Sequence, residues 1–313
     1  MLSYTLRRLI MTLPVMLFVA LFVFGLLDLA PGDPAALLAG EDATQQDIVR
    51  IRDTLGLDQP FLLRFGEWLW AVMHGDLGTS LFTGLPVSVM ISQRLAPTVT
   101  LMIMTLAVSV VVAIPFGALA AWMHNRWHDR GIMVMAVLSF SVPSFVVGYM
   151  LAWAFGLQLR WFPVQGYVPF SQGFWASLHT LVLPALALGS VYVALITRIT
   201  RATLLETLSQ DYVRTARAKG VSNCNILFLH ALKNAAVPIV TIIASGVALL
   251  ISGTVVTETV FAIPGLGRLT VDAILRRDYP IIQGVILLFS FSYVLINLLA
   301  DLLYRVFDPR IHY

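Results

Sequence analysis

The chain has 313 residues, 58% of them hydrophobic and 12% charged, with a formal net charge of +3 and a mean hydropathy of +0.85. Soluble domains carry about 25% charged residues, so the composition excludes an ordinary soluble domain and points to a polytopic membrane protein. The single cysteine, Cys224, excludes a disulfide framework, and so small a positive charge does not call for nucleic acid.

A hydrocarbon core of about 30 Å needs roughly 20 apolar residues as helix. Six stretches meet this, at residues 9–29, 98–122, 131–155, 178–196, 237–256 and 281–304. The runs are continuously apolar rather than alternating, which favours helices over a barrel. The first run follows Arg7 and Arg8 but is too long for the apolar part of a signal peptide, and Leu29-Ala-Pro-Gly-Asp-Pro34 does not read as a cleavage site. It reads as a retained anchor with its amino end in the cytoplasm. On that orientation Arg126, Arg130, Arg198, Arg201, Arg214, Arg217, Lys219, Lys233, Arg305 and Arg310 fall inside, following the positive-inside bias. Six spans then place both termini in the cytoplasm.

The outer segment 31–96 is acidic, with Asp33, Asp47, Asp53, Asp58, Glu67 and Asp76 among its carboxylates. It reads as a short helix over 47–55 ended by Gly56, then an amphipathic helix over 61–73 carrying Trp68 and Trp70 at headgroup level. It serves as a solvated cap or as a docking surface for a soluble outer partner. Prolines mark the spans at Pro14, Pro97, Pro115, Pro143, Pro184 and Pro238. Pro97 and Pro238 suit a first-turn position, whereas Pro115, Pro143 and Pro184 should kink their helices. Ser139, Ser141 and Ser144 can re-satisfy the carbonyls freed at Pro143. The outer loop 156–176 is aromatic and reads as an interfacial belt. The turn from Phe261 to Gly267 reads as a helix stop followed by a tight turn.

Between the fourth and fifth spans lies a polar island, residues 211–235. Ser209 or Asp211 can N-cap a helix through Lys219, which Gly220 ends. Asp211 at its start and Lys219 at its end match the helix dipole. Ser222 can cap a second helix that runs toward Pro238. Tyr212, Val213, Ala216 and Ala218 give the first helix a small apolar surface edged by Arg214, Arg217 and Lys219. So short a helix is marginal alone in water and needs something to pack on, either a protein partner or anionic headgroups.

No catalytic pattern accompanies it. The zinc motif His-Glu-x-x-His and the phosphate loop Gly-x-x-x-x-Gly-Lys-Ser/Thr are both missing, so the chain is not expected to be an enzyme or to carry a cofactor or metal. Among the spans the ionisable residues Asp28, Glu258 and Asp301 sit near the ends, where snorkelling or interhelical bonding accounts for them. A stand-alone secondary transporter or channel, the alternative reading, would want a charge nearer the midplane.

The run from Arg214 to Gly220, Arg-Thr-Ala-Arg-Ala-Lys-Gly, followed by His-Ala-Leu-Lys-Asn-Ala from His230, resembles the cytoplasmic coupling loop of ABC-transporter permeases of the dipeptide/oligopeptide/nickel family. Only Ala216, Gly220 and Leu232 match the general coupling motif, and Arg214 stands where that motif has glutamate. Further pieces agree along the chain: Leu29 to Pro34, Leu55 to Pro60, Gly75-Asp-Leu-Gly78, Glu258-Thr-Val-Phe with Pro264 to Gly267, Arg277-Asp-Tyr-Pro280, and Asp308 to Tyr313. The long outer segment is similar to that of one of the family's two permease types.

The resemblance implies an all-α membrane protein with six transmembrane helices and the type I ABC importer permease fold. It implies residues 1–96 as first helix plus periplasmic segment, 97–305 as a five-helix core with the coupling loop at 198–236, and 306–313 as a cytoplasmic tail. The partners implied are a second homologous permease, two cytoplasmic ATP-binding subunits, a periplasmic solute-binding protein and the lipid bilayer of a bacterial inner membrane. ATP hydrolysis is placed in the partner subunits. ATPase coupling is assigned to Asp211, Tyr212, Arg214, Thr215, Ala216, Arg217, Ala218, Lys219, Gly220 and His230. The translocation path is assigned to Ser141, Pro143, Ser144, Pro184 and Gly189. Substrates implied are di- or oligopeptides, or a peptide-like solute such as glutathione or a nickel chelate.

Overall fold

The computed structural model describes residues 2–29, 33–39, 44–54 and 56–307. Every regular element among them is helical, and only the isolated bridge of Thr79 with Pro86 pairs extended backbone. In chain order the helices are α1 (Leu2–Leu29), α2 (Pro34–Ala39), α3 (Gln45–Thr54), α4 (Phe61–Met73), α5 (Val87–Trp122), α6 (Trp127–Ser141) and α7 (Ser144–Leu151). Then follow α8 (Phe174–Leu208), α9 (Asp211–Ala218), α10 (Asn223–Asn225), α11 (Leu232–Val260), α12 (Leu266–Arg276) and α13 (Tyr279–Phe307). Wide π turns extend α7 over Ala152–Gln158 and join α10 to α11 over Ile226–Ala231.

Five helices are long and apolar enough to cross a bilayer, and the pair α6–α7 makes a sixth if it counts as one span. That pair corrects the expectation of one kinked helix over 131–155. The chain turns by 106° between Ser141 and Ser144. Val142 is extended (φ −99°, ψ 123°), as proline demands of the residue before it. The serines do not repair the gap as expected. Ser139 and Ser141 donate to the carbonyls of Met135 and Val137, one turn back in α6.

Pro97 and Pro238 are also interior rather than first-turn residues. Val87 and Ile91 are buried, and α5 has begun by then, ten residues before Pro97. Asn223–Val260 is one helical run in which Pro238 is internal. Membrane helices tolerate such prolines because neighbouring groups and local adjustments absorb the freed backbone.

Contacts divide the chain into two compact units, residues 1–95 with 269–294, and 96–268 with 295–313. In the first unit, α4 packs along α1. Phe24 sits among Phe61, Phe65 and Trp68 with ring centroids 5.1–5.7 Å apart. Arg64 is buried over the Phe24 ring and pairs with Asp28 at 2.6 Å. This satisfies Asp28 by interhelical bonding. Trp70, by contrast, is exposed. Buried Asp278 accepts from the Ser80 hydroxyl at 2.6 Å and pins the turn that leads into α5.

In the second unit α8 is the centre. Of its most apolar stretch 61% is buried, against 22–33% for the other four single-helix spans. Lipid supplies no hydrophobic drive between helices, so close packing and interhelical hydrogen bonds must hold them. The α5–α8 contact follows that rule. Gly117 lies directly against Thr197 and Thr200, and the Thr197 hydroxyl donates to the Ala113 carbonyl at 3.4 Å. On the other side, the Tyr192 hydroxyl donates to the Ile243 carbonyl of α11.

The turn after α11 is held by Glu258, which is fully buried. Its carboxyl accepts from the Thr98 hydroxyl at 2.5 Å and from the Arg268 N–H at 3.0 Å, while Leu266 N–H bonds Thr98 Oγ1 at 2.8 Å. A methyl group at Gly265 would overlap the Glu258 carboxyl, and one at Gly267 the backbone of Val255. Of the third ionisable residue, Asp301, the helix is described but not the side chain, and residues 308–313 lie outside the described residues.

Candidate functional site

Helix α9 is the first candidate. It spans Asp211–Ala218, so the island does hold a short helix, but its start differs from expectation. The N-cap is Gln210, with no side-chain cap bond, because the Ser209 hydroxyl turns back to the Glu206 carbonyl and closes α8. The end is as expected. Gly220 is left-handed (φ 77°), its N–H bonds Arg217 O at 3.0 Å, and Val221 N–H bonds Ala216 O at 3.2 Å. These two bonds form a Schellman stop, which a residue without a side chain makes cheaply. Ser222 then caps the next helix by accepting from Asn225 N–H at 3.4 Å.

One side of α9 faces the protein. Val213 is fully buried, Ala216 is partly buried, and the helix contacts the π turn Ile226–Ala231. Tyr212 Oη accepts from Asn234 Nδ2 at 3.0 Å, and the same amide donates to the His230 carbonyl at 2.7 Å. The other side is open. Asp211, Tyr212, Arg214, Thr215, Arg217, Ala218, Lys219 and Gly220 are all exposed, and His230 is partly so. Arg214 and Asp211 approach to 3.5 Å at side-chain exposures of 78% and 96%, a pair that solvent screens. Thus α9 presents Arg214, Arg217 and Lys219 outward while Val213 and Tyr212 fix it to α11. Asn234 was not read from the sequence. Its spacing of four from His230 was the only local signal.

The second candidate is the α6–α7 break. Ser141 and Pro143 are exposed and Ser144 is half-buried. Pro184 and Gly189 do not join them. Both are buried in α8, and Gly189 packs against Thr105 and Ser109 of α5.

A third feature escaped sequence reading. Asp129, the acid in the first turn of α6, is buried and takes Arg201 of α8 on both oxygens, at 2.5 and 2.8 Å. Asn125 N–H adds a bond to Oδ2 at 3.0 Å, and His124 Nδ1 lies 3.5 Å from the same oxygen. The partners are 72 residues apart, which no local pattern reveals.

Residues 113–313 match the family "Binding-protein-dependent transport system inner membrane component", and residues 1–102 match the N-terminal part of such membrane components. The chain belongs to that family. It is the membrane permease of an ABC-type, binding-protein-dependent importer. A probable peptide ABC transporter permease protein of Sinorhizobium fredii is 52% identical over 99% of both chains. A glutathione transport system permease protein of Salmonella choleraesuis is 42% identical over the full length of both. A Brucella suis protein whose name describes a peptide transport system permease is 45% identical, also over both full lengths. The match to each of these relatives covers 99% or more of both chains.

Proposed function

We propose that this permease imports peptides or a peptide-like solute, and that α9 is the helix it hands to a cytoplasmic ATP-binding subunit. The names of its relatives, two peptide permeases and a glutathione permease, support the substrate class. A second homologous permease completes the path, two ATP-binding subunits supply hydrolysis, and a periplasmic binding protein delivers the solute. Both termini lie in the cytoplasm of a bacterial inner membrane. Residues 1–96 carry the periplasmic segment, and 97–305 form the core with its coupling loop at 198–236. The path runs by the α6–α7 break at Ser141, Pro143 and Ser144.

The observation that carries the reading is the two-sidedness of α9. A helix of eight residues is too short to hold itself in water, yet Val213 and the Tyr212–Asn234 bond anchor it while its basic edge stays open. An exposed basic edge on a fixed helix suits docking into a protein groove, where charge sets register and encounter. The test is co-purification with the ATP-binding subunits encoded for the same transporter. Arg217→Glu should weaken association about ten-fold or more. Gly220→Pro should abolish it, because proline cannot adopt the left-handed backbone there. Unchanged association and unchanged stimulated ATP hydrolysis in both variants would sink the docking role.

A further inference from the structure

We infer that the Asp129–Arg201 ion pair is the joint through which movement of α9 reaches the broken helix α6–α7. The inference rests on α9 being the docking helix. Helix α8 is uninterrupted from Phe174 to Leu208, and only Ser209 and Gln210 separate it from α9. Arg201 stands about two turns from the inner end of α8. Asp129 stands in the first turn of α6, fifteen residues long, which ends at the 106° break. Helix α6 packs on α8, so the pair is a charge-assisted tie at the root of that contact.

The form of the tie matters. Apolar faces in lipid can slide, because the acyl chains are as apolar as the side chains they replace. A bidentate guanidinium–carboxylate pair is strong and fixed in direction. Here it is also buttressed: the Asn125 N–H occupies Asp129 Oδ2 from the turn between α5 and α6, with Asn125 held left-handed (φ 63°). His124 Nδ1 lies 3.2 Å from Arg201 Nη2, closing the cluster from the same turn. A push on α9 therefore moves α8 and, through Arg201, carries α6 with it. The half-span that bears Ser141 at its far end is driven from its inner end. Asp129 and Arg201 are positioning residues in this scheme, and neither is part of the docking surface of α9.

The experiment uses the assembled transporter in lipid vesicles, with Cys224→Ser as background and spin labels at Glu206→Cys on α8 and Met135→Cys on α6. Both positions are exposed. With Asp129 intact, the label separation should be the same without nucleotide and after trapping with ATP and vanadate. In Asp129→Asn it should change on trapping by more than about 2 Å, the scale of a helix shift, while ATP hydrolysis is retained. Arg201→Lys keeps the charge but loses the fork, and should give a smaller change. The exchange of both residues, Asp129→Arg with Arg201→Asp, should restore a fixed separation. A separation that changes on trapping with the pair intact, or stays fixed in both single variants, overturns the joint. A purely structural role would lower assembly without making the separation depend on nucleotide. If Asp129→Asn does not assemble, Arg201→Lys decides. Failure of the docking role appears separately, as ATP-binding subunits that co-purify with Arg217→Glu as well as with the unaltered chain.

Discussion

Two buried carboxyls organise the second unit, and they are built differently. Glu258 sits near the C-terminal end of α11 in a buried, close-packed turn, where Gly265 and Gly267 leave no space for a methyl group. Asp129 sits in the first turn of α6 and grips a guanidinium that is 23% exposed, beside an imidazole that is 46% exposed. The first is a joint whose carboxyl is fully buried. The second has a wet edge, so its partners can be rehydrated while they rearrange. A turn that must keep its shape suits the first construction, and a junction that must transmit movement without shattering suits the second.

Substitutions can break this contrast. Glu258→Ala should be the most damaging, lowering stability by about 3 kcal/mol. It removes the acceptor that the Arg268 N–H and the Thr98 hydroxyl share in a buried turn. Thermal unfolding of the purified permease reads this as a lower midpoint, and Glu258→Gln should recover part of the loss. Asp129→Ala should cost less, about 2 kcal/mol, because Arg201 is partly exposed and can regain solvent in place of its partner. An Asp129→Ala midpoint below that of Glu258→Ala would reverse the ranking of the two sites. Asp211→Asn is the reference at the small end. Its pair with Arg214 is open to solvent, and the midpoint should not move measurably.

The parts of the fold that were legible in the sequence are those decided locally. Helix α4 spans the residues its amphipathic pattern marked, and α9 stops where Gly220 permits a left-handed turn. The prolines show where local reading ends. Pro143 and Pro184 carry the same backbone restriction, yet α6 breaks before one while α8 runs through the other. Pro184 is buried in α8, the most enclosed of the five described single-helix spans, where neighbours hold its surroundings helical. Pro143 is exposed, and Val142 before it takes the extended form. The start of α9 failed for a related reason, since the Ser209 hydroxyl stood between the free carbonyls ending α8 and the free N–H groups opening α9, and it donates to the Glu206 carbonyl of α8. Of the candidate coupling residues, the basic edge was readable, whereas the Asn234 contact that orients Tyr212 was not. Arg201 was readable only as an inward positive charge, because its partner lies in another helix.

The wide turn at Ile226–Ala231 has a consequence for how the chain can vary in length. A π turn is an α-helix carrying one surplus residue within a single turn. Removing one residue there leaves an ordinary α-helix whose two flanks keep their mutual orientation. Removing one residue elsewhere in α11 would rotate everything beyond it by about 100°, carrying Ala235, Ile239, Leu250 and Ile251 off the faces they now bury. The segment linking α9 to the fifth membrane span is therefore a natural place for an insertion or deletion to be absorbed.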